Sequence, residues 1–224
     1  MQLNAYFVAI RGRQWLRPGA MIVDVHTHNP EACDAIINAS FSSFQPEQGK
    51  VYSVGVHPWD TVEDVDLALL DKVAAKSEVV AIGECGFDLL RGGDIETQTR
   101  IFRHHVRLAE QLGKPLIIHC VKAFDRLLAE RKMAVSSVPW IVHGFRGNAA
   151  TAAQLTGKGI YLAIGEKFNI EAVRAVPIEM LLVETDTSQV KIDAVIEAVA
   201  RTKGVEEKHI RETVTSTAGK LVKI

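Results

Sequence analysis

No apolar stretch in this 224-residue chain approaches the roughly 20 residues that a membrane-spanning helix needs, which excludes a helical membrane protein. Cysteine is scarce. Cys33, Cys85 and Cys120 are odd in number and sit in or beside apolar runs, which argues against a disulfide framework and for a reducing, cytoplasmic setting. Charge of one sign is lacking too: 26 basic and 27 acidic side chains leave a formal net charge of -1. A broad basic face for nucleic acid is therefore excluded, although a local patch or bound cations can still hold phosphates. Residues 1–20 lack the order of a secretory signal, because their brief apolar patch precedes Arg11, Arg13 and Arg17. They are read as an N-terminal extension of unknown role, an appendage or an upstream start, ahead of one domain over residues 21–224.

What is present is enough apolar residue, 47%, to build one substantial core. Short apolar runs alternate with longer segments of helical period, the pattern of a parallel sheet wrapped by helices. Strands are expected near 22–26, 35–40, 51–56, 79–83, 115–119, 139–143, 159–164 and 180–184, and helices over 60–76, 96–113, 122–133, 148–159, 188–204 and 206–222. Asp60 and Thr61 are candidate caps for the first helix, and Gly113 closes the second. Only the link between the first two strands is too short for a helix. The expected fold is α/β, a compact TIM-type (β/α)8 barrel, slightly incomplete on that side.

The ends of these strands carry the chemistry. In "MIVDVHTHNP" Asp24, His26 and His28 fall at i, i+2 and i+4, one face of an extended segment, which is a place to hold a cation. "VVAIGECG" ends on Glu84, "PLIIHC" on His119, "WIVHGF" on His143 and "LLVETD" on Glu184 and Asp186, while "VGVHPW" supplies His57. C-terminal strand ends of such a barrel converge on one mouth. Carboxylates and imidazoles gathered there without a partner would be costly, and divalent metal resolves the cost.

"DVHTHN", "GVHPWD", "AIGECGFD" with "ETQTRIF", "PLIIHCVKAFD", "IVHGFRGN" and "LLVETD", in this order, resemble the TatD family of metal-dependent hydrolases within the amidohydrolase superfamily. The resemblance runs from about Val23 to the C-terminus. It implies a distorted eight-stranded barrel with two divalent metals, zinc, magnesium or manganese, and cleavage of DNA or another phosphodiester. It also implies that His26, His28 and Asp186 hold one metal, that His119 and His143 hold the other, and that Glu84 bridges them. Asp186 would orient the attacking water and take its proton. His57, not a direct ligand in the family, would donate to a phosphate oxygen, with Arg146 and Lys122 adding positive charge.

Two departures from the family pattern bear on substrate. No proline follows "ETD", and "ETDTSQVKIDAV" is expected to pass directly into a helix, which shortens a substrate-shaping loop. Arg146 replaces the usual small hydroxyl residue. The alternative is therefore a hydrolase of a small ester, amide or phosphomonoester using the same centre, and a third reading is a non-catalytic barrel. Neither a membrane nor an obligate protein partner is expected. Among lesser residues, Asp24 is expected to orient a metal-bound histidine, and His104, His105 and His209 to lie on the surface. Glu184 is expected to touch the site or anchor the loop. Cys85 and Cys120 are expected to pack away from the ligands, and Trp59 to stack on a base or cover the rim.

Overall fold

The computed structural model describes residues 21–61, 64–134 and 137–223; the extension expected over residues 1–20 lies outside the described residues. Eight strands follow in order: β1 (Asp24–Thr27), β2 (Ala35–Asn38), β3 (Val51–Val54), β4 (Val79–Asp88), β5 (Leu116–Val121), β6 (Trp140–Val142), β7 (Ile160–Ile164) and β8 (Leu181–Val183). Each pairs in parallel with its neighbours, and β1 pairs with β8, so the sheet closes into the expected barrel. The helices are α1 (Leu67–Ala74), α2 (Ile95–Leu112), α3 (Phe124–Met133), α4 (Ala149–Thr156), α5 (Ile170–Ala175), α6 (Ile192–Lys203) and α7 (Glu207–Val222).

Local chemistry explains where the helices start and stop. Asp94 caps α2 by accepting from the Glu96 and Thr97 amides at 2.9 and 2.8 Å, and Gly113 ends it in the left-handed region, φ 63°. The helix expected over 60–76 forms only from Leu67, because Asp66, not Asp60 or Thr61, accepts from the Leu69 amide at 2.9 Å. Pro58–Asp60 is a separate 3-10 turn, and the Thr61 hydroxyl closes back on the Pro58 carbonyl at 2.6 Å. The segment after Asp186 also departs from expectation: α6 begins at Ile192, after a loop in which Ser188 donates to Glu166 at 2.8 Å. α5 was not expected, since six residues are too few to display a helical period. No α-helix separates β1 from β2, as expected. None separates β2 from β3 either, where only a 3-10 turn, Phe41–Ser43, intervenes.

The strands alternate their side chains between two cores. One face of each strand packs against the helices, where Phe87, Phe102 and Trp140 stack with ring centroids 4.8 and 5.4 Å apart. The other face fills the barrel with Val25, Ile36, Val51, Ile117, Ile141 and Leu182, joined by Ala218, Leu221 and Val222 of α7. This inner cluster lies toward the N-terminal strand ends, so the opposite mouth is left for polar side chains.

His105 corrects the sequence reading. It is fully buried rather than on the surface, and its ring bridges α2 to the segment that carries His57. Nδ1 donates to the Ile101 carbonyl at 2.8 Å while Nε2 accepts from the Val56 amide at 2.9 Å. Only the neutral imidazole can do both. Burial lowers its pKa to about 4. Because the folded-state value lies below the ordinary value of 6.5, the contribution of neutral His105 is complete above pH 6.5 and is lost as pH falls toward 4. The loss corresponds to about 3 kcal/mol. Between pH 7 and pH 4 the urea-unfolding free energy should thus fall by about 3 kcal/mol more in the parent than in His105→Gln, which does not titrate; equal falls would clear His105 of any role in acid sensitivity.

Candidate metal centre

The C-terminal strand ends bring six donors together. Backbone bonds between β1 and the β8 end fix the first three: the Asp186 amide donates to the His26 carbonyl at 2.9 Å, and the His28 amide to the Asp186 carbonyl at 2.9 Å. Asp186 takes a left-handed backbone, φ 52°, which aspartate tolerates better than most residues. From the other side, His143 is held by its amide bond to the Ile118 carbonyl at 3.0 Å. β4 and β5 pair through Gly86 and His119, and a Cβ on Gly86 would lie 2.0 Å from the His119 carbonyl oxygen. Only glycine permits that approach.

Glu84 stands at the centre, 4% exposed. Its Oε1 lies 2.7 Å from His143 Nε2, 2.9 Å from His119 Nδ1 and 3.0 Å from His57 Nε2, and its Oε2 lies 3.2 and 3.4 Å from Nε2 of His26 and His28. Asp186 Oδ1 is 3.8 and 3.6 Å from the last two nitrogens. Burial works to raise the Glu84 pKa, but His143, His119 and His26 outweigh it and hold the carboxyl well below its ordinary value. Burial likewise works to lower the His143 pKa, yet Glu84 and Glu184 raise it well above 6.5.

These residues fit divalent ions. Both ring nitrogens of the fully buried His26, and Nδ1 of His143, have no hydrogen-bond partner among the described residues. Buried nitrogens left this way are costly unless something ligates them. Three sets have ligand atoms within 4.8 Å of one another: His26, His28 and Glu84; His26, His143 and Asp186; His57, Glu84 and His119. His57 differs from the rest in one respect. Its Nδ1 accepts from the Trp59 amide at 3.1 Å, which leaves the proton on Nε2 and turns a donor toward Glu84.

The surroundings revise several expectations. Asp24 does not orient an imidazole. It accepts from the His26 amide at 3.2 Å and from the Thr185 hydroxyl at 2.6 Å, clasping β1 to the β8 end, and burial raises its pKa to about 7. Glu184 does both things expected of it: its Oε1 accepts from the Gly144 amide at 2.5 Å and lies 3.6 Å from His143 Nδ1. His104 is partly buried and lies 2.7 Å from Asp71, whereas His209 is exposed. Cys85 is buried, its thiol pushed well up by burial, and burial takes Cys120 up to about 12, so neither supplies a thiolate.

Two positioning residues escaped sequence reasoning. Asn38 Oδ1 accepts from the Glu84 amide at 3.1 Å. Asp88, the last residue of β4, sits 3.3 Å from His119 Nε2 on the side away from Glu84 and accepts from Trp59 Nε1 at 2.6 Å. The two-residue alternation from Glu84 to Asp88 was the available signal. A cleft of about 710 Å³ opens over the centre, walled by Phe41, Trp59, Val65 and Leu69. A second, of about 680 Å³, lies across His28 and Asp186 against Thr187–Asp193. Trp59, 48% exposed, covers the rim. Arg146 and Lys122 are exposed on the loops after β6 and β5 and line neither cleft.

A closed parallel barrel with imidazoles and carboxylates gathered at its C-terminal mouth has the architecture of a metal-dependent hydrolase. Residues 21–223 match the profile of the TatD related DNases, and the chain belongs to that family. It is 33% identical over 146 residues to the metal-dependent hydrolase YcfH of Escherichia coli, covering 61% of this chain and 55% of that protein. It is 36% identical over 146 residues to the 3'-5' ssDNA/RNA exonuclease TatD of Cronobacter turicensis, covering 60% of this chain and 56% of that one. The matches thus span just over half the length of these curated relatives. Among solved structures, the TatD homolog YJJV from Escherichia coli superposes with a TM-score of 0.78 at 20% identity, over 92% of this chain and 99% of that one. A TatD family hydrolase from Entamoeba histolytica gives 0.72 at 19% identity, over 90% and 97%.

Asp88 can fix the His119 ring with Nδ1 toward Glu84, the arrangement that raises the basicity of a ligating imidazole. Asp88→Asn should weaken metal affinity by about 10–100-fold, read by competition with a chromogenic chelator. An unchanged affinity would reduce Asp88 to a bracket for the Leu90 and Arg91 amides, which it accepts at 2.7 and 3.1 Å.

Proposed function

We propose that this protein is a hydrolase that holds two divalent metal ions and cleaves phosphodiester bonds in DNA. The observation that supports it most strongly is the convergence of five imidazoles on the buried Glu84 carboxylate, with Asp186 against two of them. His26, His28 and Asp186 would hold one ion and His119 and His143 the other, with Glu84 shared. Nitrogen and carboxylate donors together suit zinc and also admit manganese or, with more water, magnesium. Bound there, the ions supply Lewis acidity to the phosphoryl group and lower the pKa of water at the reacting centre.

The chain's own residues then divide the work. Asp186, partly exposed to the cleft, orients the attacking water and accepts its proton. His57, with its proton on Nε2, donates to a non-bridging phosphate oxygen. Trp59 and the apolar wall beside it give a nucleobase a surface to rest on. Lys122 and Arg146 add positive charge at the outer edge of the mouth. Three cysteines with no disulfide support a cytoplasmic setting.

The second reading, a hydrolase of a small ester, amide or phosphomonoester, is favoured by the partly apolar 710 Å³ cleft, which suits a compact organic group. Metal-loaded protein should cleave single-stranded DNA, lose that activity on chelation and regain it on reloading, with two ions per chain by elemental analysis. Asp186→Asn should lower kcat by about 10²–10⁴-fold. Activity that survives complete chelation overturns the metal mechanism. DNA left intact while a small chromogenic ester turns over gives the second reading the case.

A further inference from the structure

The flank of the barrel below the metal mouth carries a feature that the centre does not use. Arg100, Arg103 and Arg107 fall on one stripe of α2, and Arg126 of α3 faces them across a groove of about 360 Å³. Arg126 Nη2 donates to the Thr99 hydroxyl at 3.0 Å, which in turn donates to the Ile95 carbonyl at 2.6 Å, so this guanidinium is anchored at the groove's edge. Arg103 is neutralised by a two-pronged pair with Glu130, at 2.8 and 2.9 Å. Arg100, Arg107 and Arg126 have no carboxylate partner among the described residues, and Glu96 is the one acidic residue among those lining the groove. In a chain of net charge -1, a groove with three unpaired arginines is a local excess of cation.

Its position matters as much as its charge. α2 leaves the mouth through the loop after Asp88 and runs back down the barrel, so Arg100 lies about 8 Å and Arg107 about 18 Å along the helix from its start. That loop also carries Arg91, whose guanidinium sits 4.9 Å from the centroid of the Trp59 ring at the cleft rim. Trp59, Arg91, Arg100, Arg126 and Arg107 therefore mark one path from the metal cleft down the flank. Aromatic surface followed by spaced guanidiniums is what a single nucleic-acid strand needs, base face first and phosphates after. The roughly 10 Å between Arg100 and Arg107 spans two or three phosphates of such a strand.

We propose that the α2–α3 groove is a second binding site, taking the phosphates of a single-stranded nucleic acid whose scissile bond occupies the metal cleft. This rests on the nuclease reading above. The strand would be held outside the cleft, so binding should strengthen with length beyond the few nucleotides that the cleft accommodates.

The test uses metal-loaded protein and a fluorescent single-stranded 20-mer with uncleavable phosphorothioate linkages, titrated between about 50 and 200 mM salt. Arg100→Ala/Arg107→Ala, both exposed positions, should weaken binding about tenfold at the lower salt and reduce the slope of log K against log salt by about 1.4, two contacts at about 0.7 each. Arg100→Lys/Arg107→Lys should restore most of both, and a trinucleotide should bind parent and variant alike. An unchanged melting temperature shows that the variant is folded. If the parent cleaves the unmodified strand but the alanine variant binds the 20-mer with undiminished affinity and slope, the groove is not a strand site and the nuclease reading stands. If the parent leaves the unmodified strand intact while the alanine variant loses affinity and slope as described, the nuclease reading falls and the groove stands as a strand-binding site. A parent that neither binds nor cleaves overturns both.

Discussion

One buried carboxylate organises the mouth of this barrel. Glu84 sits 4% exposed with five imidazoles within 3.4 Å, and an ionised carboxyl could not survive that burial without cationic neighbours. The five imidazoles come from four strand ends or their extensions, β1 supplying two, so satisfying Glu84 requires the strands to be in register. The register is set by backbone fit: Asn38 takes the Glu84 amide, and Gly86 lets β4 approach β5 where a Cβ would collide. The positions of the donors follow from these contacts more than from any contact the donors make with each other.

The same economy appears one layer out. Asp24, His105 and Asp88 are buried polar groups that face the elements carrying the donors, and each is fully occupied there. Asp24 joins the His26 amide to Thr185, His105 secures the Val56 amide next to His57, and Asp88 backs His119 while tying down Trp59. Buried polar groups with satisfied bonds specify a unique arrangement, and here they do so where a small displacement would spoil a ligand set.

The sequence made the barrel legible because its strands end abruptly in polar residues and its helices keep a 3.6-residue period. The donors were legible for the same reason, since His26, Glu84, His119, His143 and Asp186 all follow apolar runs. What was not legible depends on partners far away in the chain. His105 lies in a helix whose neighbours are charged, and only the Val56 amide, 49 residues distant, explains its burial. Asp24 falls on the same face as His26, so periodicity alone suggested an imidazole partner, whereas its bond runs to Thr185, 161 residues away. The late start of α1 turned on which of several polar residues found an amide to cap, and α5 was too short to carry a pattern.

Closure of the ring by β1 and β8 has a temporal meaning. His26 and Asp186 meet only through bridges that span nearly the whole described chain, as the Thr27 to Asp186 contact does across 159 residues. Contacts so distant in sequence are slow to form and cannot form at all until the last strand has been synthesised. While the chain is growing, His26 and His28 therefore stand apart from Asp186, and the mouth of the barrel is assembled only as a late event of folding.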